Sequence, residues 1–347
     1  MYSEEDINSA VAAGALSADA AAAFRAHMTQ IRDMPRGDEE NFRLINSFND
    51  IFVAIGVVIM LVAAGAIGQA IASAFAPVPN IWDLTSEPTE AQFAAWSAAS
   101  EWRSALTTLF AGALIAATAW PLSEFFTRRR RMALPSIILL LAFVGGCFAA
   151  AMGIGLSLGA MDNESTGALF VAGAGVLAAG GAFVHWKRFM VPITVAAGAG
   201  AAAVTVIALL VSLLYGPVGL DDDTVGDTLL ALTFVMGLAV FAFAMRWDMS
   251  DRERTTRRSD VAFWLHLLAA PMIAHPVFYS LGVMEGGDQV GVAEAVGVLA
   301  IYVLFGLVAL AIDRRALLVS ALAYVLVALA FLFDRFGAVE LTFALTA

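Results

Sequence analysis

The chain has 347 residues, of which 61% are hydrophobic and 14% are charged, and its net charge is −11. Soluble domains carry about 25% charged and about 45–50% apolar residues, so this composition excludes an ordinary soluble globular protein. Apolar runs recur along the chain, and many reach the length of about 20 residues that a bilayer-spanning helix needs. The sequence therefore predicts an all-α, polytopic integral membrane protein.

Residues 1–33 are predicted to form a cytoplasmic helical hairpin. Ser3 can cap a first helix, and Gly14 stands where that helix should end. In "LSADAAAAF", Ser17 can cap a second helix whose apolar face includes Phe24. Two short apolar stripes of this kind either bury each other or dock on a partner protein. A polar linker at 34–50 then leads into the first membrane span.

The same N-terminal stretch carries a resemblance to a known family. "INSAVAAGALSADAAAAF", with Gly14, Leu16, Ser17 and Ala20 to Ala22, precedes many apolar runs. In this it resembles the bacterial membrane-protein family called domain of unknown function 2157. An Asn-Trp pair that follows the first span in that family is replaced here by "FNDIFVAIG" at 48–56. The resemblance implies a bacterial polytopic membrane protein and assigns no role to any residue.

Nine transmembrane helices are predicted from the apolar runs. Each run must be helical because backbone groups in hydrocarbon need partners within their own segment. A barrel is excluded since its strands would be about 10 residues long and alternate in polarity. The predicted spans form a bundle over 51–333, and a short outer tail follows at 334–347. They cover 51–76, 104–121, 135–159, 167–185, 190–215, 227–245, 261–283, 293–312 and 316–333.

The basic residues predict the orientation of these spans. With the N-terminus inside, all of the 19 Lys and Arg residues except Arg103 and Arg335 face the cytoplasm, as the positive-inside rule requires. The 7 tryptophans all lie near predicted span ends, where aromatic belts form. We therefore expect a multi-pass protein of the bacterial inner membrane, N-terminus in and C-terminus out, with its excess negative charge on the outer face.

The first outer loop, 77–103, is predicted to contain an amphipathic helix. Thr85 or Ser86 can cap it, Pro88 suits its start, and Phe93 and Trp96 follow at helical spacing. Such a helix is expected to lie on the outer leaflet and to lead into the second span.

Motifs for common catalytic and cofactor chemistry are missing from the sequence. It has no P-loop, HExxH, GxSxG or zinc spacing of Cys and His. Enzymatic activity is therefore left open but disfavoured, and no cofactor, metal ion or nucleic acid is expected. The glycine clusters at 173–182 and 196–203, with Gly155 and Gly159, lie inside or at the end of predicted spans and are interpreted as sites of close helix packing.

Polar residues inside the spans are the natural candidates for a functional site, because burying them in lipid is costly. The four candidates are His275, Gln69, His266 and His185. His266 and His275 are nine residues apart and fall on opposite helix faces, since about 100° separates successive residues. His185 and His266 lie at comparable inner depth and could pair as haem ligands or as a proton relay.

The seventh span is predicted to be broken by two prolines. Pro271 and Pro276 remove the amides that would bond the carbonyls of Leu267 and Met272. His275 precedes Pro276 and is biased away from helical geometry. Interrupted helices bind substrates or ions in transporters; the alternative is a simple kink in which His275 bonds a neighbouring helix.

Three function classes follow from these observations. The sequence favours a scaffold or sensory component that meets a cytoplasmic protein through residues 1–33. The alternative is a transporter or channel for a small solute or proton, with His275 and Gln69 lining the path. A lipid-modifying membrane enzyme is the third class, for which no catalytic constellation is found. Membrane lipids are expected partners, and the oligomeric state is left open.

Overall fold

A computed structural model of the chain describes residues 4–33, 48–82, 87–159, 163–219, 222–251, 256–280 and single helical positions between 300 and 310. Throughout these residues the secondary structure is helical, and they contain no strand. The chain divides into two compact units, Met1–Arg43 and Leu44–Ala347.

The N-terminal unit contains two short helices, α1 (Glu4–Ala12) and α2 (Ala18–Asp33). Gly14 has φ +69° just after α1, a conformation that glycine adopts without strain. The Ser17 hydroxyl accepts the Ala20 amide at 3.1 Å and so caps α2, as predicted. Arg25 donates to the Asn8 side-chain oxygen at 2.7 Å, which joins the two helices.

Among the described residues of the second unit, seven helices are long and apolar enough to cross a membrane. Each of the first seven predicted spans coincides with one of them, so the polytopic membrane character is supported. Their bounds are α3 (Phe48–Phe75), α4 (Glu90–Ser123), α5 (Ala133–Ser157), α6 (Glu164–Phe189), α7 (Ile193–Leu213), α8 (Asp222–Met249) and α9 (Arg257–Ser280).

Several predicted segments lie outside the described residues. They are the linker over 34–47, the tail over 334–347, the span over 316–333 and most of the span over 293–312. The count of nine spans and the orientation therefore stay predictions.

The helix predicted in the first outer loop is continuous with the second membrane helix. α4 runs without interruption from Glu90 to Ser123, so the predicted surface helix is the first part of α4. The Thr89 hydroxyl accepts the Gln92 amide and the Gln92 side chain accepts the Thr89 amide, forming a capping box. No Gly or Pro follows until Gly112, so nothing ends the helix before the span. At 1.5 Å per residue, α4 is about 51 Å long and exceeds the bilayer core of about 30 Å.

Sequential helices pack against each other, with α4 on α5, α6 on α7 and α8 on α9. Clusters of buried apolar residues connect these pairs. One cluster joins Ala196 of α7 with Val240 of α8 and Leu265 of α9. α9 is the most buried of the seven described membrane helices: 56% of its most apolar stretch lies inside, against 17–33% for the other six. The helix that carries both prolines is therefore an internal one.

Only some glycines permit close packing. A Cβ on Gly146 would lie 2.7 Å from the Gly112 carbonyl oxygen, so α4 and α5 touch backbone to backbone there. In the glycine cluster at 173–182, a Cβ on Gly175 would meet the Thr205 side chain, whereas a Cβ on Gly173 would meet nothing described within 4 Å. Gly159 has φ +72° and follows the end of α5, so it terminates a helix instead of packing against one.

Candidate functional site

The structure places Gln69 and His275 in unremarkable surroundings. Gln69 is exposed on α3. His275 is half-buried on α9, with its ring centroid 6.3 Å from that of Tyr279 one turn later. A cleft of about 600 Å³ lies beyond it, lined by Asp227, Phe234, Pro276 and Tyr279 among others. Neither residue faces a second predicted candidate among the described residues.

The predicted break in the seventh span is absent from the described helix. α9 stays helical from Arg257 to Ser280, through both Pro271 and Pro276. Proline is tolerated in a transmembrane helix because neighbouring helices support the freed backbone. His275 is helical despite preceding a proline, so the tertiary packing of this buried helix overrides the local bias.

His185 is buried in a cage of aromatic rings at the end of α6. Its ring centroid lies 4.5 Å from that of Phe189, 5.9 Å from that of Phe143 and 6.2 Å from that of Trp120. Its Nδ1 lies 3.4 Å from the Thr194 hydroxyl. If that hydroxyl donates, Nε2 carries the ring proton and points among aromatic faces, which accept weak N–H···π contacts. These aromatic contacts explain the burial of His185 by packing, so His185 is interpreted as a structural residue.

His266 has a different environment on α9. Its side chain is fully buried, and neither ring nitrogen has a hydrogen-bond partner in the described part of the chain. Its Nε2 lies 3.8 Å from Oδ2 of Asp248, near the end of α8. The Phe241 ring contacts it edge-on, with centroids 5.2 Å apart. This contact with Asp248 is an ion pair when the imidazole is protonated, and at 3.8 Å it is too long for a hydrogen bond.

The turn between α8 and α9 holds this pair in register. Oδ2 of Asp251 accepts from the Thr256 amide at 3.0 Å and from its hydroxyl at 2.7 Å. The Thr256 hydroxyl in turn accepts the Arg258 amide at 3.2 Å. These bonds fix the start of α9 against the end of α8, which brings His266 opposite Asp248.

The two buried histidines do not form one site. His185 contacts rings of α4, α5 and α6 and a hydroxyl of α7, whereas His266 contacts Phe241 and Asp248 of α8. No ring contact among the described residues joins them, so the arrangement gives no support to a shared haem. The described residues also contain no group of three or more His, Cys, Asp or Glu side chains that could hold a metal ion.

A second polar cluster joins the ends of α4 and α6. Glu124 contacts Arg128, four residues later in the chain, at 3.4 Å and Arg188 at 2.5 Å. Spacing along one helix could not reveal Arg188, because it lies 64 residues away on another helix.

Asp248 is the functional candidate that sequence reasoning missed, because in the sequence it is one of several acids in the polar stretch that follows the sixth predicted span. Its spacing gives no signal: Asp248 lies one residue before the end of α8, whereas His266 lies nine residues after the start of α9.

Comparison with known proteins gives no relative for the chain: no family model, no curated protein and no solved structure matches it.

Proposed function

We propose that the protein handles protons within a membrane, in the transport class of functions, with His266 and Asp248 as the proton-binding pair. The observation that carries this proposal is the environment of His266: a fully buried imidazole with two unpaired nitrogens, 3.8 Å from a carboxylate. Ionisable residues at membrane depth usually belong to functional sites, proton relays among them.

The chemistry of the pair supports a proton as its ligand. A buried polar group without a partner costs free energy, and its presence calls for an explanation. A proton on Nε2 gives the imidazole a positive charge that Asp248 attracts at short range. Asp248 has an exposed side-chain fraction of 12%, so it can exchange protons with the aqueous side while His266 stays sealed.

Proton flux into proteoliposomes tests the proposal. Under an imposed pH gradient, wild-type protein is expected to acidify the lumen faster than empty vesicles do. His266→Ala and Asp248→Asn should each abolish the excess flux, whereas His275→Ala, on the same helix, should keep it. Wild-type vesicles that are as tight as empty ones would refute proton transport. Equal loss in all three variants would point to damaged folding and refute the assignment to the pair.

A second candidate function is that of a scaffold or sensory component, acting through the N-terminal hairpin. It is supported by Phe24, an aromatic side chain that is 44% exposed on α2 within a separate compact unit. Such an aromatic is suited to docking on a cytoplasmic protein. If Phe24→Ala leaves proton flux intact and lowers recovery of a co-purifying protein, the hairpin is an interaction module.

We further propose that the membrane is the inner membrane of a bacterium, with the hairpin in the cytoplasm. The distribution of Lys and Arg supports this orientation. Accessibility of cysteines introduced at residue 24 and at residue 96 to a membrane-impermeant reagent tests it. The proposal requires residue 24 to react only from inside and residue 96 only from outside.

A further inference from the structure

The ends of α4 and α6 form a strongly basic surface. It contains Arg128 to Arg131, Lys187 and Arg188, and Glu124 is the only acid in the stretches 119–135 and 183–193. All six basic side chains are exposed. The excess of positive charge is concentrated at one end of two neighbouring membrane helices, in a chain whose net charge is −11.

Glu124 turns part of this surface into a clamp. Its Oε1 holds Nε of Arg188 at 2.5 Å and its Oε2 holds Nη1 of Arg128 at 3.4 Å. In the described hydrogen bonds, each guanidinium uses one nitrogen for Glu124, which leaves further N–H donors of both in one place. Two guanidinium groups fixed side by side match the oxygens of a phosphate, which arginine binds in a bidentate manner.

The backbone around the clamp departs from regular helix. α4 ends in a π-helical turn over Glu124–Arg129, a rare geometry that is frequent at functional sites. Among the described residues, Arg131 (φ 55°) and Met190 (φ 52°) are the two non-glycine residues with positive φ, and both lie at this end. Such conformations cost free energy and persist where the surroundings require them.

The position of the clamp at the membrane boundary selects the ligand. Directly beneath it, the rings of Trp120 and Phe189 pack with centroids 5.2 Å apart. Beside it, Arg130 lies over the Phe125 ring at 5.4 Å and Lys187 over the Phe183 ring at 5.5 Å. Cationic side chains that lie along apolar rings at a span end keep their charge at headgroup level. Basic pockets between helices on the cytoplasmic side bind anionic lipid headgroups.

We propose that Arg128 and Arg188, held together by Glu124, bind the phosphate of an anionic phospholipid headgroup, in the leaflet that the positive-inside rule assigns to the cytoplasm. This site is separate from the His266–Asp248 pair and does not depend on its function. Removing both guanidinium groups should weaken the binding of phosphatidylglycerol by about ten- to a hundredfold, since two charge-assisted bonds are lost.

Native mass spectrometry of the full chain in detergent, with phosphatidylglycerol or phosphatidylcholine added, measures this preference. Wild-type protein is expected to prefer phosphatidylglycerol, and Arg128→Gln with Arg188→Gln should lose the preference. Arg257→Gln with Arg258→Gln is the matched control, because it removes two exposed arginines from the start of α9 and should keep the preference. If the control variant loses the preference for phosphatidylglycerol equally, the preference comes from the overall positive charge, and the proposed site at Arg128 and Arg188 is wrong.

Two further arms keep the test decisive. Arg128→Lys with Arg188→Lys preserves the charge and removes the bidentate fork, so it should lose most of the preference even if the glutamine variant fails to fold. Wild-type affinity in the lysine variant would contradict the proposal. Inorganic phosphate should not displace the lipid at millimolar concentration; if it does, the site takes a soluble anion and the lipid assignment is wrong.

Discussion

Replacing His266 with leucine should make the protein more stable and abolish its function. Each of the two buried ring nitrogens lacks a hydrogen-bond partner among the described residues, and such a group costs about 1–3 kcal/mol. Leucine removes both costs in a similar volume. It gives up the edge-on contact with Phe241, worth about 0.5–1.5 kcal/mol. The free energy of unfolding should therefore rise by about 0.5–5.5 kcal/mol.

His185→Leu is the matched control, because His185 is equally buried and only one of its ring nitrogens, Nε2, lacks a hydrogen-bond partner among the described residues. Its loss breaks three ring contacts and leaves the Thr194 hydroxyl without the histidine nitrogen, so this variant should be less stable than wild type. Reversible unfolding in detergent, followed by tryptophan fluorescence, measures whether each variant is more or less stable than wild type. Proton flux in proteoliposomes measures the activity. If His266→Leu destabilises the protein as His185→Leu does, His266 is a satisfied structural residue and the proposed role is wrong.

Three further predictions concern packing and the aromatic cage. Gly146→Val should cost more than 2 kcal/mol or prevent folding, whereas its neighbour Gly145→Val, where a Cβ meets nothing described within 4 Å, should be nearly neutral in thermal unfolding. Ser165 and Ser212 each donate to the other's backbone carbonyl, at 2.9 and 2.8 Å, so a double-mutant cycle to alanine should give a coupling of about 0.5–2 kcal/mol; zero coupling would mean that the bonds are not made. Thr194→Val should destabilise by about 1 kcal/mol and leave proton flux unchanged; a flux defect would draw His185 into the mechanism.

The sequence predicts the membrane helices well because their cause is local. Length and hydropathy alone decide whether a segment can cross a bilayer, and seven predicted spans coincide with helices. The helix predicted in 77–103 leads into the second span as expected, because nothing in "FAAWSAASEW" ends it; its position on the outer leaflet stays a prediction. The predicted break at Pro271 and Pro276 is wrong because a proline removes a hydrogen bond only locally, whereas the packing around this buried helix decides whether the helix continues.

The candidate site was only partly predictable. His266 stands out in the sequence as an ionisable residue in an apolar run, but its ranking below His275 rested on the prolines. The burial of a side chain and its hydrogen-bond partners depend on the tertiary structure, and in this structure they favour His266 over His275 as the candidate. Asp248 could not be weighed from the sequence without the register between α8 and α9, which the Asp251–Thr256 turn sets. The Glu124–Arg188 contact likewise depends on the packing of α4 near α6.

The contrast between His185 and His266 explains why burial alone cannot identify a functional histidine. Both are fully buried. Nδ1 of His185 faces a hydroxyl, and its Nε2, which has no hydrogen-bond partner in the described part of the chain, lies among aromatic rings. The contacts described for His185 include no carboxylate that could pair with a protonated ring. The neighbours of His266 leave its neutral form unsatisfied and place a carboxylate where only the protonated form gains from it. His266 therefore carries a cost in stability at its position in α9, and a proton-binding role accounts for that cost.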